Sequence, residues 1–232
     1  MLEQQQARSI RFHSPHPSKT YTIGRFLGDV RWLVTHVDAL VGAYLGDEID
    51  PQIREEVLTA VSFENACRWC SFMHSEWALE LGVDSEELEH IERLNPSGVP
   101  FERWAAALFA RHRAAQGFGP MPPDFEVEAS ELFGERHRDL IEALARMISV
   151  ANGVSNTFDA FLARLDGKPL PGSRLRDELF FSALFAAAAP WAAVALAVMR
   201  GEGPLELREK FADFSRRFED LLRRGRMAFA GA

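Results

Sequence analysis

Cys67 and Cys70 are the only two cysteines of this 232-residue chain, and His74 follows them four positions later. On an α-helix these residues occupy positions i, i+3 and i+7 and therefore share one face. Two thiols beside an imidazole can cycle between dithiol and disulfide with a proton carrier at hand. Because His74 is four residues from Cys70, it can take the proton of that thiol directly or through one water.

The residues next to the cysteines indicate how the first thiol is activated. Asn65 is a suitable N-cap for a helix that begins at Ala66. Cys67 would then lie in the first turn, where backbone amides and the helix dipole lower the pKa of a thiol. Arg68 adds a positive charge nearby. Each thiol thus has its own means of activation, and these patterns do not decide which sulfur attacks.

Composition narrows the classes of protein to consider. The net charge of -8 and a pI of about 5.4 disfavour a nucleic-acid partner. Two cysteines three positions apart cannot form a framework of long-range disulfides, so the pair suits a reducing, cytoplasmic compartment. The polar N-terminus lacks the apolar stretch of a secretory signal peptide, and we interpret residues 1–24 as an extended arm or loop.

Helical periodicity dominates the rest of the chain, and no alternating β pattern appears, so we predict an all-α fold. The long helix that ends at Leu165 is interrupted near Gly153 in this prediction. We predict helices over residues 26–44, 51–63, 66–81, 84–94, 100–115, 135–165, 175–199 and 205–227, and loops over 117–128 and 168–173.

The stretch from Arg54 to His74 resembles the alkylhydroperoxidase D (AhpD-like) branch of the carboxymuconolactone decarboxylase superfamily. That branch is marked by a Glu, eleven residues, Cys-x-x-Cys, three residues and a His, and here the Glu is Glu55. The end of the motif helix at Leu81-Gly82 and the stretch Val150–Phe158 are also similar to the family.

The resemblance covers residues 25–166 and implies an AhpD-like helical domain there. It does not account for the arm at 1–24 or for residues 167–232. We interpret the latter as a C-terminal two-helix extension that packs on the domain or lies at an oligomer interface.

The resemblance also implies an activity, that of a thiol-dependent peroxidase without a cofactor or metal. Cys70 would attack a hydroperoxide and become a sulfenic acid, Cys67 would resolve it into a disulfide, and an external dithiol would reduce that disulfide. His74 would be the base, and Glu55 would orient or charge it. Some members have a His between the cysteines, where this chain has Trp69, so a relay through that His is absent. The family implies a homo-oligomer, such as a dimer, trimer or hexamer.

Other interpretations stay open at this point. The dithiol can serve a redox-sensing or binding protein without peroxide turnover, or both thiols can simply be buried core residues. A zinc site of the Cys2His type, with Glu55 as fourth ligand, is a third possibility. Glu56 and Glu64 compete with Glu55 for the acidic role. The thiol pair argues against lactone decarboxylation, which the superfamily performs without it.

Residues 179–199 carry no charge over 21 positions and so meet the length of about 20 residues for a membrane span. The many alanines and Pro190 in the middle favour instead a helix buried in the core or between subunits. The last helix is amphipathic and is predicted to pack on this one.

Overall fold

The computed structural model of the protein describes residues 19–93 and 95–230, with side chains described as far as residue 220. These residues form nine α-helices and no strand, which confirms the predicted all-α class. Residues 1–18 of the arm predicted over 1–24 lie outside the described residues. The arm ends earlier than predicted, because the first helix already begins at Ile23. The helices are α1 (Ile23–Thr35), α2 (Val37–Leu45), α3 (Pro51–Glu64), α4 (Arg68–Glu80), α5 (Ser85–Glu92), α6 (Phe101–Ala115), α7 (Pro123–Leu165), α8 (Leu175–Arg200) and α9 (Pro204–Ala230).

Helix α3 lies at the centre of the fold, and all its residues from Glu55 onward are buried. Its start is fixed by Asp50, whose carboxylate accepts hydrogen bonds from the amides of Gln52 and Ile53, and by Pro51 in the first turn. Helices α4, α6 and α7 pack against it, and the apolar surface buried between them stabilises the chain. The shared core includes Val57, Leu58, Val61, Ala110, Leu140 and Leu144.

The short helix α5 begins where its sequence predicts. The Asp84 carboxylate accepts the Glu86 amide at 2.8 Å, and Gly82 has the left-handed φ of 84° expected of a residue that follows a helix. The helix ends at Glu92, and Leu94, to which we extended it, is outside the described residues.

The helix predicted over 26–44 is two helices, α1 and α2, that meet at His36. This residue leaves helical geometry with φ -124° and ψ 29°. The His36 ring stacks on Trp32 at 3.8 Å, and the Thr35 hydroxyl donates to the Trp32 carbonyl at 2.8 Å. These local side-chain contacts replace helical hydrogen bonds and end α1.

The predictions for α7 were wrong at two places. The loop predicted over 117–128 ends earlier, since helix begins at Pro123, and the chain kinks at Gly134, where φ is 72°. Phe125 stacks on Phe109 at 5.8 Å, and this packing stabilises the additional turns. The break predicted near Gly153 is absent, because this glycine allows the Tyr21 ring to lie against a continuous helix.

The last two helices pack against α7 and α4. Residues 168–173 connect α7 to α8 without helix, as predicted. A second apolar cluster joins α3 and α4 to the C-terminal helices and comprises Phe63, Phe72, Leu196, Leu207, Phe214 and Phe218. This cluster, here named the C-terminal cluster, attaches residues 175–220 to the back of the helix that carries the cysteines.

Helix α8 is long and apolar enough to cross a membrane, with a mean hydropathy of 2.0 over its most apolar 18 residues. Only 11% of that window is buried within the chain. The part of our prediction that places this helix in the core of a single chain is therefore wrong. Trp191 and Val198 are among its most exposed side chains.

We expect Gly153→Ala to destabilise the fold by roughly 1–3 kcal/mol, because an added Cβ would lie 2.8 Å from the Tyr21 ring. Gly28→Ala is the matched control, since a Cβ on this residue of α1 meets nothing within 4 Å. Alanine there should be neutral or stabilising by up to about 1 kcal/mol. Chemical denaturation measures both changes, and equal unfolding free energies for the two variants would contradict the packing described here.

Candidate active site

A tight turn between α3 and α4 positions the two cysteines. Cys67, and not Asn65, is the N-cap of α4, and Ala66 has a left-handed φ of 51°. The predicted helix start at Ala66 is therefore wrong. The Cys67 sulfur itself accepts the Cys70 amide at 3.4 Å, so it takes the role that we assigned to the Asn65 side chain.

Asn65 is instead held by α7 through buried hydrogen bonds. Its side-chain amide donates to Ser149 Oγ at 3.0 Å and to Asn152 Oδ1 at 2.9 Å. Asn156 donates to the Asn65 carbonyl at 2.8 Å, and Asn152 donates to Ser62 Oγ at 3.1 Å. Since buried polar groups are costly when unpaired, this network fixes the turn and with it the position of Cys67.

Both cysteines are free thiols in a buried setting. Cys67 has no exposed surface, and Cys70 is 8% exposed. The Cys70 sulfur lies 3.6 Å from Ser155 Oγ on α7, so a hydroxyl is in contact with it. Cys70 is thus the more accessible of the two residues.

The pKa values of the two thiols are shifted in opposite directions. A hydrogen bond from the Cys67 thiol lowers the pKa of Cys70 against the effect of burial, and Ser155, the charge of His74 and Asn152 lower it further. Burial is the main cause that raises the pKa of Cys67, and the neighbouring Cys70 raises this pKa further. The pair therefore holds its negative charge on Cys70, contrary to the activation that we predicted for Cys67.

Glu55 and His74 form a buried pair beside the thiols. His74 Nδ1 lies 2.7 Å from Glu55 Oε2, and Arg54 donates to the other oxygen at 3.1 Å. Burial disfavours the Glu55 carboxylate, but His74 and Arg54 outweigh this effect and hold its pKa below the usual range. Glu55 is therefore an anion that fixes the orientation of the imidazole.

The two competing carboxylates point elsewhere. Glu56 pairs with Arg103, whose Nε donates at 2.8 Å, and burial raises the pKa of Glu56 to about 7. Glu64 accepts from Arg111 Nε at 3.1 Å. Of the three acidic residues that the sequence offers, Glu55 is the one in contact with His74.

Arg68 does not serve the thiols as predicted. Its guanidinium makes two hydrogen bonds to Asp159 on α7, at 3.1 and 2.8 Å. The Trp69 ring donates to the same carboxylate at 3.1 Å and stacks on Phe211 of α9 at 4.2 Å. Trp69 also meets Phe185 of α8 edge-on at 5.4 Å, so both C-terminal helices contact the segment between the cysteines.

The geometry does not favour zinc. Across residues 19–93 and 95–230, no three His, Cys, Asp or Glu side chains are grouped so that they could hold a metal ion.

Several residues of the site were missed from the sequence. Ser155, Asn152 and Asp159 all project from α7 toward the cysteines, although they are more than 80 residues away in the chain. The sequence feature that could have identified them is the run of small polar residues in an otherwise apolar helix. Polar residues on a buried helix face need hydrogen-bond partners.

Comparisons with protein-family models, with curated proteins and with solved structures found no match. The resemblance to the AhpD-like family therefore rests on the motif residues themselves.

We expect Ser155→Ala to raise the pH at which Cys70 reacts with iodoacetamide, because the variant removes a hydrogen bond that stabilises the thiolate. In the wild type the midpoint should lie below the ~8.5 of an ordinary thiol. Mass spectrometry of tryptic peptides reports each cysteine separately, since cleavage after Arg68 separates them.

Ser85→Ala is the control, because Ser85 is an exposed residue at the start of α5. A Cys70 midpoint equal in wild type and Ser155→Ala would show that this hydroxyl does not act on the sulfur.

Proposed function

We propose that the protein is a thiol-dependent peroxidase of the AhpD-like type, with Cys70 as the attacking thiol and Cys67 as the resolving thiol. The observation that carries the proposal is geometric: two buried free thiols, with the Cys70 sulfur 3.6 Å from Ser155 Oγ, precede on the same helix a His74 whose ring lies 2.7 Å from Glu55. The lowered pKa of Cys70 and the raised pKa of Cys67 agree with this assignment. A thiolate is the nucleophile in peroxide reduction, and a proton donor must serve the leaving group.

In the first step His74 takes the proton of Cys70, and the charge of Glu55 stabilises the imidazolium. The thiolate then attacks one peroxide oxygen, the O–O bond breaks, and the electron pair leaves with the other oxygen as alkoxide. Since Nδ1 of His74 faces Glu55, Nε2 is the nitrogen that returns the proton to the alkoxide. The products are an alcohol and the Cys70 sulfenic acid.

In the second step Cys67 attacks the sulfenic sulfur, which releases water and forms a disulfide. The charge of the Cys70 thiolate, which raises the Cys67 pKa, is gone at that stage, so the second thiol ionises more readily. An external dithiol then reduces the disulfide by thiol–disulfide exchange. The cycle uses no cofactor or metal.

We also propose the setting implied by the resemblance, a cytoplasmic homo-oligomer. The exposed apolar face of α8 supports an assembly, because a large apolar patch is costly in water. A membrane would cover the same face, and partition into detergent on phase separation distinguishes the two settings.

The peroxidase proposal predicts that the two cysteine variants lose different steps of the reaction. Cys70→Ser should lose reaction with an organic hydroperoxide in stopped-flow measurements. Cys67→Ser should consume one equivalent and then stop, with a sulfenic acid on Cys70 that dimedone traps.

If Cys70→Ser reacts as fast as the wild type, the assignment of the attacking thiol is wrong. If the wild type is oxidised once per chain but does not turn over with a supplied dithiol, the redox-sensing alternative replaces the peroxidase.

Glu55→Gln should slow peroxide reduction by roughly 10²-fold, the lower range for loss of acid–base assistance, because the neutral amide no longer stabilises the imidazolium. The pH optimum should also shift, which a purely structural defect would not cause. Glu56→Gln is the matched control, since this neighbouring residue binds Arg103 rather than His74.

We expect Glu56→Gln to lower the free energy of unfolding and to leave the rate per folded chain unchanged. Equal rate losses in the two variants would show that the Glu55–His74 contact has no part in the reaction.

A further inference from the structure

A separate cleft opens where the segment before α1 crosses α7. It is lined by Lys19, Tyr21, Arg25, Asp29, Arg146 and Ser149, among other residues. Three of these side chains are cationic and one is anionic, although the whole chain carries a net charge of -8. A local excess of positive charge in an acidic protein indicates a site for a negatively charged ligand.

The single carboxylate of the cleft is already engaged. Asp29 accepts a hydrogen bond from the Tyr21 hydroxyl and lies 3.7 Å from the Arg25 guanidinium. Arg146 is held by Glu142 at 2.9 Å and by the ring of Trp32 at 4.2 Å, so it forms a rigid charged wall. Among the described residues, Lys19 is then the cation of the cleft with no carboxylate within ion-pair distance, and the charge of Glu64 acts on it from farther away.

Lys19 is the most informative residue of the cleft. Its ammonium donates to the Ala114 carbonyl at 2.9 Å, and no carboxylate pairs with it within the described residues. Burial lowers the pKa of this ammonium, and the charge of Glu64 offsets only part of that effect. A partly buried ammonium keeps further N–H donors for a ligand, because it has three.

Neutral donors complete the lining. Ser149 accepts the Asn65 amide at 3.0 Å, so its own hydroxyl hydrogen remains to donate. Asn65 also lines the cleft and belongs to the hydrogen-bond network that fixes the turn before Cys67. The Gly153 backbone forms part of the wall. Cationic and hydroxyl donors that converge in this way are suited to bind the oxygens of a small anion.

We propose that this cleft binds a small oxyanion, either a carboxylate or a phosphate group, with Lys19 and Ser149 as the donors and Arg25 as a further charge. The site is distinct from the thiol pair and does not depend on peroxidase activity.

Calorimetric titration of the full chain with inorganic phosphate, and separately with acetate, tests the proposal. We expect one anion per chain for at least one probe, and an affinity reduced roughly 10- to 100-fold in Lys19→Gln, as for loss of a charge-assisted hydrogen bond. Lys168→Gln is the matched control, because Lys168 is exposed in the connection between α7 and α8. It should bind as the wild type does.

Binding of phosphate alone or of acetate alone would support the site and define its class of ligand. Ser149→Ala provides a second test if Lys19→Gln does not fold, and it should also weaken binding. Absence of binding by both probes, or equal affinities in wild type and in the folded Lys19 or Ser149 variant, would overturn the proposal.

Discussion

The buried hydrogen bonds between Asn65 and α7 are the constraint on which the geometry of the thiols depends. They hold the turn in which Ala66 takes a left-handed φ and Cys67 becomes the N-cap of α4. In that position the Cys67 sulfur faces the amide of Cys70 rather than solvent. The difference between the two thiols follows from this turn, because a buried N-cap sulfur is protonated while the sulfur of the next turn gains hydrogen bonds.

The C-terminal helices add a second layer to the site. Phe211 of α9 stacks on Trp69, and the C-terminal cluster covers the outer side of α4. The helix that carries Cys70 and His74 is therefore packed on both sides, by α3 and α7 on one side and by α8 and α9 on the other. Such packing limits the motion of the side chains and keeps water away from the thiols, which strengthens their electrostatic interactions.

The sequence was most informative where the geometry is local. The spacing of Cys67, Cys70 and His74 predicts one helical face, since that spacing follows from helix geometry alone. Glu55 came from the resemblance, and the structure places it 2.7 Å from His74. The helices α3, α6 and α8 also lie close to their predicted bounds, because their periodicity and end residues are encoded within the segments themselves.

Predictions from the sequence were wrong where residues far apart in the chain determine the local structure. Asn65 is a good N-cap in isolation, but its partners Ser149 and Asn152 lie on another helix and draw its side chain away. Gly153 predicts a helix break in isolation, but in the structure it gives space to the Tyr21 ring within a continuous helix. Arg68 was likewise predicted to place a positive charge near the thiols, but its guanidinium is hydrogen-bonded to Asp159. Tertiary contacts override local preference in each case.

The most direct test of the central claim is the intact mass of the wild-type chain after one equivalent of an organic hydroperoxide. The account predicts loss of the mass of two hydrogen atoms, both recovered with a dithiol reductant, because Cys67 and Cys70 join within one chain. An unchanged mass with two titratable thiols, or a gain of oxygen that does not resolve, would contradict it.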